Sequence, residues 1–287
     1  MSYTDADLLD ARLVAPRRPG RWVSAAITLL LAAMLGHTLL TNRRFQWGVV
    51  GQYFTSTSVL DGLKLTLWLT AATMAAGFVL GVVIAYVRLW GSPIPRSFAF
   101  GFVWLVRSVP LLVQLLFWYE LASLYPQLSF GIPFGPSFGS ANTAHLFSGE
   151  LAAFVTLTLD VAAFSSEIVR GGILSVDRGQ SEAAQALGLG RLRTFWRIVL
   201  PQAMPAIVPA TGNLLIGTLK STSLVSVIAV VDLLYSVQLI YNADFEIVPL
   251  LLVATIWYVI LTTLLSVGQY YVERHYSRGN GIKGGAH

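Results

Sequence analysis

The sequence predicts an all-α, polytopic membrane protein with about six transmembrane helices: a five-helix core plus one N-terminal helix. Three observations carry this. The 287 residues are 55% hydrophobic and only 11% charged, against about 25% charged in an ordinary soluble domain. The mean hydropathy is +0.67. Five apolar runs are long enough for a bilayer core of about 30 Å, which needs roughly 20 helical residues. Length alone would accommodate one or two soluble domains, but these runs leave no sequence for a sizeable aqueous core. There is no cysteine, so disulfides, thiolate metal sites and cysteine nucleophiles are excluded. The net charge of +5 reads as arginine placed to orient the chain, not as nucleic-acid affinity.

The first run, Trp22–Leu40, follows a basic tail, 1–21. It is longer than a signal core and no small-residue cleavage site follows it, so it reads as an uncleaved anchor. An outer loop, 41–61, precedes the second span, Thr66–Val87. There Gly77 and Gly81 form a G-x-x-x-G, which either permits close helix approach or reflects the abundance of glycine in membrane helices. The third span is Ser97–Leu121, with a kink expected at Pro110, which removes the hydrogen bond to the Val106 carbonyl. The second outer loop, 122–148, contains "SFGIPFGPSFGS" and reads as turns. Leu151–Val169 and Val248–Tyr271 complete the five clear spans. A sixth, Ala203–Leu219, is shorter and interrupted by Pro205, Pro209 and Gly212. Thr222–Ile240 holds Asp232 and many small or hydroxylated residues, and reads as a short or re-entrant helix covered by its neighbours. Trp47, Trp118, Tyr119 and Tyr271 read as interfacial anchors.

Orientation follows from the basic residues. With both termini cytoplasmic, the inner segments hold fourteen of them, including Arg88, Arg96, Arg170, Arg178, Arg191, Arg193 and Arg197. The outer segments hold three, Arg43, Arg44 and Lys64, and Arg107 and Lys220 lie within spans. Fourteen against three is a strong positive-inside signal.

That orientation places "SEAAQALGLGRLRTFWRIVLP", Ser181–Pro201, on the inner side. Gln180–Leu187 is rich in good helix formers, with Asp177 or Ser181 as possible caps and Gly188 as a left-handed stop. So short a helix is not stable alone in water, and its alanines let another surface approach closely. A second short helix, Arg191–Val199, is expected to end at Pro201. Physics alone gives a small rigid knob, either lying on anionic lipid or docking a soluble partner.

The spacing Glu182-Ala183-Ala184, Gly188, Ile198, Leu200-Pro201 resembles the EAA loop of bacterial ATP-binding-cassette importer permeases. "RSVPLLVQLLFWYE", "AAFSSEIVRGGILSVDRGQSEAAQALGL" and "GTLKSTSLVSVIAVVDL" are similar to segments of the polar amino-acid branch of that family, in the family's order, over about residues 60–273. The resemblance implies a permease domain at 58–273, an extra helix and outer loop at 22–57, and cytoplasmic tails at 1–21 and 274–287. It implies two ATPase subunits, a second permease chain (self or related), an extracytoplasmic amino-acid-binding protein and a polar amino-acid cargo, in the bacterial inner membrane. The alanine-rich helix would dock in the ATPase. ATP and Mg would be held by those partners, with no cofactor on this chain. Ser221 stands where the family usually has an acid, which puts any role for an acidic group there in doubt. The chain itself lacks a P-loop: "LKST" at Leu219–Thr222 has leucine at 219 and at 214, where glycines belong.

Ionisable residues within spans are costly and mark function by default. Arg107, about ten residues into its span, is expected near mid-membrane, with Asp160 near the middle of its own. A zwitterionic cargo needs a cation for its carboxylate, Arg107 or Lys220, and an anion for its ammonium, Asp160. Thr222 and Ser223 beside Lys220 complete the candidate path. The alternative is an internal Arg107–Asp160 ion pair. Gln114 either faces the path or makes a helix–helix hydrogen bond, and Glu167 pairs locally with Arg170. A gradient-driven secondary transporter using Asp160 and Glu167 as relays does not explain the knob. An intramembrane enzyme lacks convergent ligands, because His37, His145, His275 and His287 avoid mid-span.

Overall fold

The computed structural model describes residues 19–132 and 135–277. Residues 1–18 of the expected tail at 1–21, with Arg12, Arg17 and Arg18, and the end of the chain from 278 lie outside these residues. The chain divides into two compact units after Gln46. The first contains helix α1, Pro19–Thr41. Thr28, Thr38 and Thr41 donate their hydroxyls to carbonyls four residues back. That leaves the surface of α1 apolar and exposed, as lipid requires.

The second unit begins with α2, Trp47–Phe54, then the long α3, Thr57–Trp90. Next come α4, Pro93–Ser108, and α5, Leu111–Tyr119. After a single turn, α6 (Leu121–Leu124), a hairpin pairs β1, Gln127–Gly131, with β2, Ser137–Asn142. One further turn, α7 (Thr143–Leu146), leads to α8, Gly149–Leu174. The knob helix α9, Arg178–Ala186, is followed by α10, Arg191–Thr194, a π-helical turn at Phe195–Val199, and α11, Leu200–Ser221. A 3-10 helix at Thr222–Ile228, α12 (Leu233–Asp244) and α13 (Ile247–Ser277) complete the order.

Among the described residues, five helical stretches are long and apolar enough to cross a membrane, or six if α4 and α5 count as one bent span. Four expectations change. The single span Ser97–Leu121 is broken by 104° between α4 and α5, because Pro110 cannot donate to Val106. The outer loop expected to be turns alone holds the antiparallel hairpin, Gln127 opposite Asn142, with a bulge at Phe130/Gly131. Helix α11 runs through Pro205 and Pro209 without interruption. Prolines 201, 205 and 209 recur every four residues, so the missing donors fall on one stripe while the other faces keep their bonds. Trp118 is an internal packing residue: it stacks on Phe147 at 6.4 Å and joins the Leu69–Leu115–Leu157 cluster.

Among the described residues the core of the second unit is three apolar clusters. Val59, Leu63, Leu233, Val237, Leu250 and Val253 join α3, α12 and α13. Leu69, Leu115, Ala152, Leu157 and Val225 join α3, α5, α8 and the 3-10 helix. Ala85, Val169, Ala203 and Ile207 join the knob-side ends of α3, α8 and α11. The G-x-x-x-G does permit close approach. A Cβ on Gly77 would lie 2.6 Å from the Val161 side chain, and one on Gly81 would lie 1.9 Å from Ser165 Oγ and 2.8 Å from the Ala162 carbonyl. Ser165 Oγ donates across the contact to the Gly77 carbonyl at 3.3 Å.

Gly81→Leu is expected to cost about 1–3 kcal/mol through overpacking, seen as a lower melting temperature of the detergent-purified protein. Gly101→Leu, where a Cβ would meet nothing within 4 Å, is expected to leave it unchanged.

Candidate functional site

The knob is built by its caps. Asp177 accepts from the Gly179 amide at 2.6 Å and starts the helix. Ser181 is one turn inside it. Gly188 takes φ +76°, its amide donates to the Gln185 carbonyl, and Leu189 donates to Ala184. This pair of bonds is the Schellman stop, which only glycine adopts without strain. Glu182, Ala183 and Gly188 are exposed, while Ala184 is 2% exposed and faces the protein. Leu187, Leu192 and Trp196 project outward. Phe195 packs edge-on to Trp90 at the end of α3, centroids 5.8 Å apart.

Pro201 does not end the second knob helix. Leu200 donates to the Phe195 carbonyl, five residues back. The wider turn accommodates the chain where proline 201 would strain a regular helix. Ile198 and Leu200 are half-buried, and the backbone continues unbroken into α11.

One charged cluster lies on α3, α4 and α8. Glu167 on α8 accepts from Arg170 at 2.8 and 3.1 Å and from Arg88 at 2.8 Å, with Arg107 3.6 Å away. The expected Glu167–Arg170 pair is present. The Arg107–Asp160 pair is not: Arg107 lies over the Phe164 ring at 5.1 Å and turns to Glu167. The mid-membrane expectation for Arg107 rests on a depth counted along one straight span. Counting depth along a straight span fails when the chain bends by 104°, and Glu167 lies only about 10 Å from the end of α8. Asp160, Phe164 and Glu167 follow one another on one stripe of α8 at helical spacing, and Asp160 is half-buried.

Gln114 is committed to the break. Its Nε2 donates at 2.8 Å to both the Val106 and Val109 carbonyls, and the residue is 9% exposed. It supplies to Val106 the donor that Pro110 withholds. Thr222 is fully buried, with its hydroxyl on the Leu219 carbonyl. The Ser223 hydroxyl donates to the Lys220 carbonyl, and Lys220 is exposed at the end of α11.

Two groups escaped the sequence reading. Arg88 was counted only for topology, yet its side chain is 9% exposed. Its signal was an arginine inside an otherwise apolar helix end. Asp232 looked like a reason to doubt a span; it is a buried N-cap. It accepts from the Tyr235 amide at 2.8 Å and from the Tyr258 hydroxyl at 3.3 Å, and Thr66 Oγ1 accepts the next amide, Leu233, at 3.0 Å. An aspartate just before the run "LLYSVQLIY" was the available sign.

Residues 77–278 match the family described as "Binding-protein-dependent transport system inner membrane component". That match contains the broken span, the charged stripe and the knob. This chain belongs to that family. As a permease of this kind it is 41% identical over 267 residues to the arginine transport system permease protein ArgU of Corynebacterium glutamicum, covering 92% of this chain and 82% of the relative. It is 31% identical over 217 residues to the glutamine transport system permease protein GlnP of Escherichia coli K12, covering 75% and 91%. A crystal structure of an amino acid ABC transporter with histidines superposes with TM-score 0.64 at 30% identity, covering 76% of the permease and 94% of that chain. The MetNI methionine transporter in inward-facing form, at 21% identity and TM-score 0.59, shares the fold.

Gln114→Leu is expected to cost about 1–3 kcal/mol by leaving two carbonyls without a donor, read as a lower melting temperature. A residue serving only the cargo path would leave melting unchanged.

Proposed function

We propose that this permease passes a polar amino acid inward, driven by two ATPase subunits that dock on the knob. The observation that carries this is the knob itself. A capped, rigid helix with exposed Glu182 and Ala183 and a buried Ala184 stands between two long helices, and the relatives are named as permeases of amino-acid transport systems. The relatives give no support to a gradient-driven transporter. ATP and Mg are assigned to the ATPase partners, and this chain holds no cofactor and performs no hydrolysis. A second permease, identical or related, completes the path, and an extracytoplasmic binding protein delivers the cargo. The fourteen-to-three distribution of basic residues supports cytoplasmic termini and a cytoplasmic knob.

We assign the cargo path to Arg107, Asp160, Lys220 and Ser223. The carboxylate of an amino acid meets Arg107 or Lys220, and its ammonium meets Asp160. Gln114 and Thr222 support the backbone around this path: both are buried, with the Gln114 Nε2 and the Thr222 hydroxyl committed to carbonyls. Glu182, Ala183, Ala184 and Gly188, with Ile198, Leu200 and Pro201, form the docking element.

Glu182→Lys is expected to abolish co-purification with the ATPase while the permease still inserts in the membrane. Unchanged association would remove the docking role. Arg107→Ala is expected to lower uptake of labelled amino acid at least about tenfold, the scale of one lost charge-assisted hydrogen bond, with assembly intact. Failure to assemble would assign Arg107 to the scaffold instead.

A further inference from the structure

We propose that Glu167 is a positioning residue for transport, tying the helix that carries the knob to the ends of two other helices. Movement of the knob then reaches the broken helix directly. This rests on the reading of α9 as the element moved by an ATPase.

Only Ser175, Val176 and Asp177 separate α8 from the knob. Glu167 lies seven residues before the end of α8. One of its oxygens is held by Arg170 of the same helix through Nε and an Nη, at 3.1 and 2.8 Å. That two-point grip fixes the direction of the carboxylate. The other oxygen accepts from Arg88 at 2.8 Å, two residues before the end of α3. It also faces Arg107 at 3.6 Å, one residue before the end of α4 and three before Pro110.

The two outer contacts differ in kind. Arg88 is 9% exposed and also sits 5.8 Å from the centroid of Phe100 on α4. Arg107 is 43% exposed, and its longer contact is the looser one. A local pair with Arg170 alone would neutralise Glu167. Three guanidiniums around one carboxylate leave positive charge uncompensated within the described residues. Such an excess does not serve stability alone. It gives three helices one shared acceptor, with a firm hold on α3 and an exchangeable hold on the end of α4.

The test uses the full transporter, permease with its ATPase and binding protein, in liposomes. The quantity read is ATP hydrolysed per amino acid taken up. Glu167→Gln is expected to retain hydrolysis and raise this ratio about fivefold or more, the size of an ordinary coupling term. Glu167→Asp keeps the charge, loses one methylene of reach, and is expected to raise the ratio less. An unchanged ratio in Glu167→Gln overturns the proposal. So does a proportional fall in uptake and hydrolysis with a lower melting temperature, which makes Glu167 structural only. Should Glu167→Gln fail to assemble, Glu167→Asp decides on the same criterion. Absence of ATP-dependent amino-acid uptake in the unmodified transporter overturns the functional reading itself, and this proposal with it.

Discussion

A peptide group in lipid has no water to bond, so each must find its partner within the protein. This constraint governs where the chain places its polar side chains. At the α4–α5 break the Gln114 amide serves two carbonyls that the bend leaves open. Trp257 donates to the Phe54 carbonyl where α2 ends. Gln269 donates to the Pro209 carbonyl and to Asn213 beside the proline stripe of α11. Thr70, Thr73, Thr156 and Thr218 bond carbonyls four residues back and so hide their hydroxyls. Irregular backbone is tolerated in this fold wherever a neighbouring side chain supplies the missing group.

The sequence reading succeeds where one local rule decides. Apolar length sets the spans, so Leu151–Val169 and Val248–Tyr271 lie inside α8 and α13. Capping chemistry sets the knob, and Asp177 and Gly188 bound it as their residue types require. The reading fails where partners are distant in sequence. Arg107 does not make the ion pair with Asp160 that stood as the alternative to cargo contact. Its partner Glu167 is sixty residues away, and nothing local points to it. Pro110 announced a kink; its size depends on Gln114 and on α8 packing beneath it. The hairpin and the π-turn are likewise decided by what surrounds them. No periodicity reveals either.

The family match begins at residue 77, inside α3, yet the alignment with the arginine permease covers 92% of the chain and so extends into α1. That helix exposes its apolar side chains along its length. The second unit needs none of it for its core, which is closed by the three clusters already described. The charges are distributed with the same economy. Glu167, Arg88, Arg107 and Arg170 gather at the end of the bundle nearest the knob, while Asp160 stands one turn beyond Phe164 on the same stripe.

The unbroken backbone from Arg191 to Ser221 has a geometric consequence. Because the π-turn absorbs Pro201 without a hinge, these residues act as a stiff rod about 45 Å long. Its base is the knob itself. A tilt of about 5° at the base would carry the far end, beside Lys220, through about 4 Å over that length. Amplification of this kind needs no soft joint. It asks only that the rod turn as one body about its lower end.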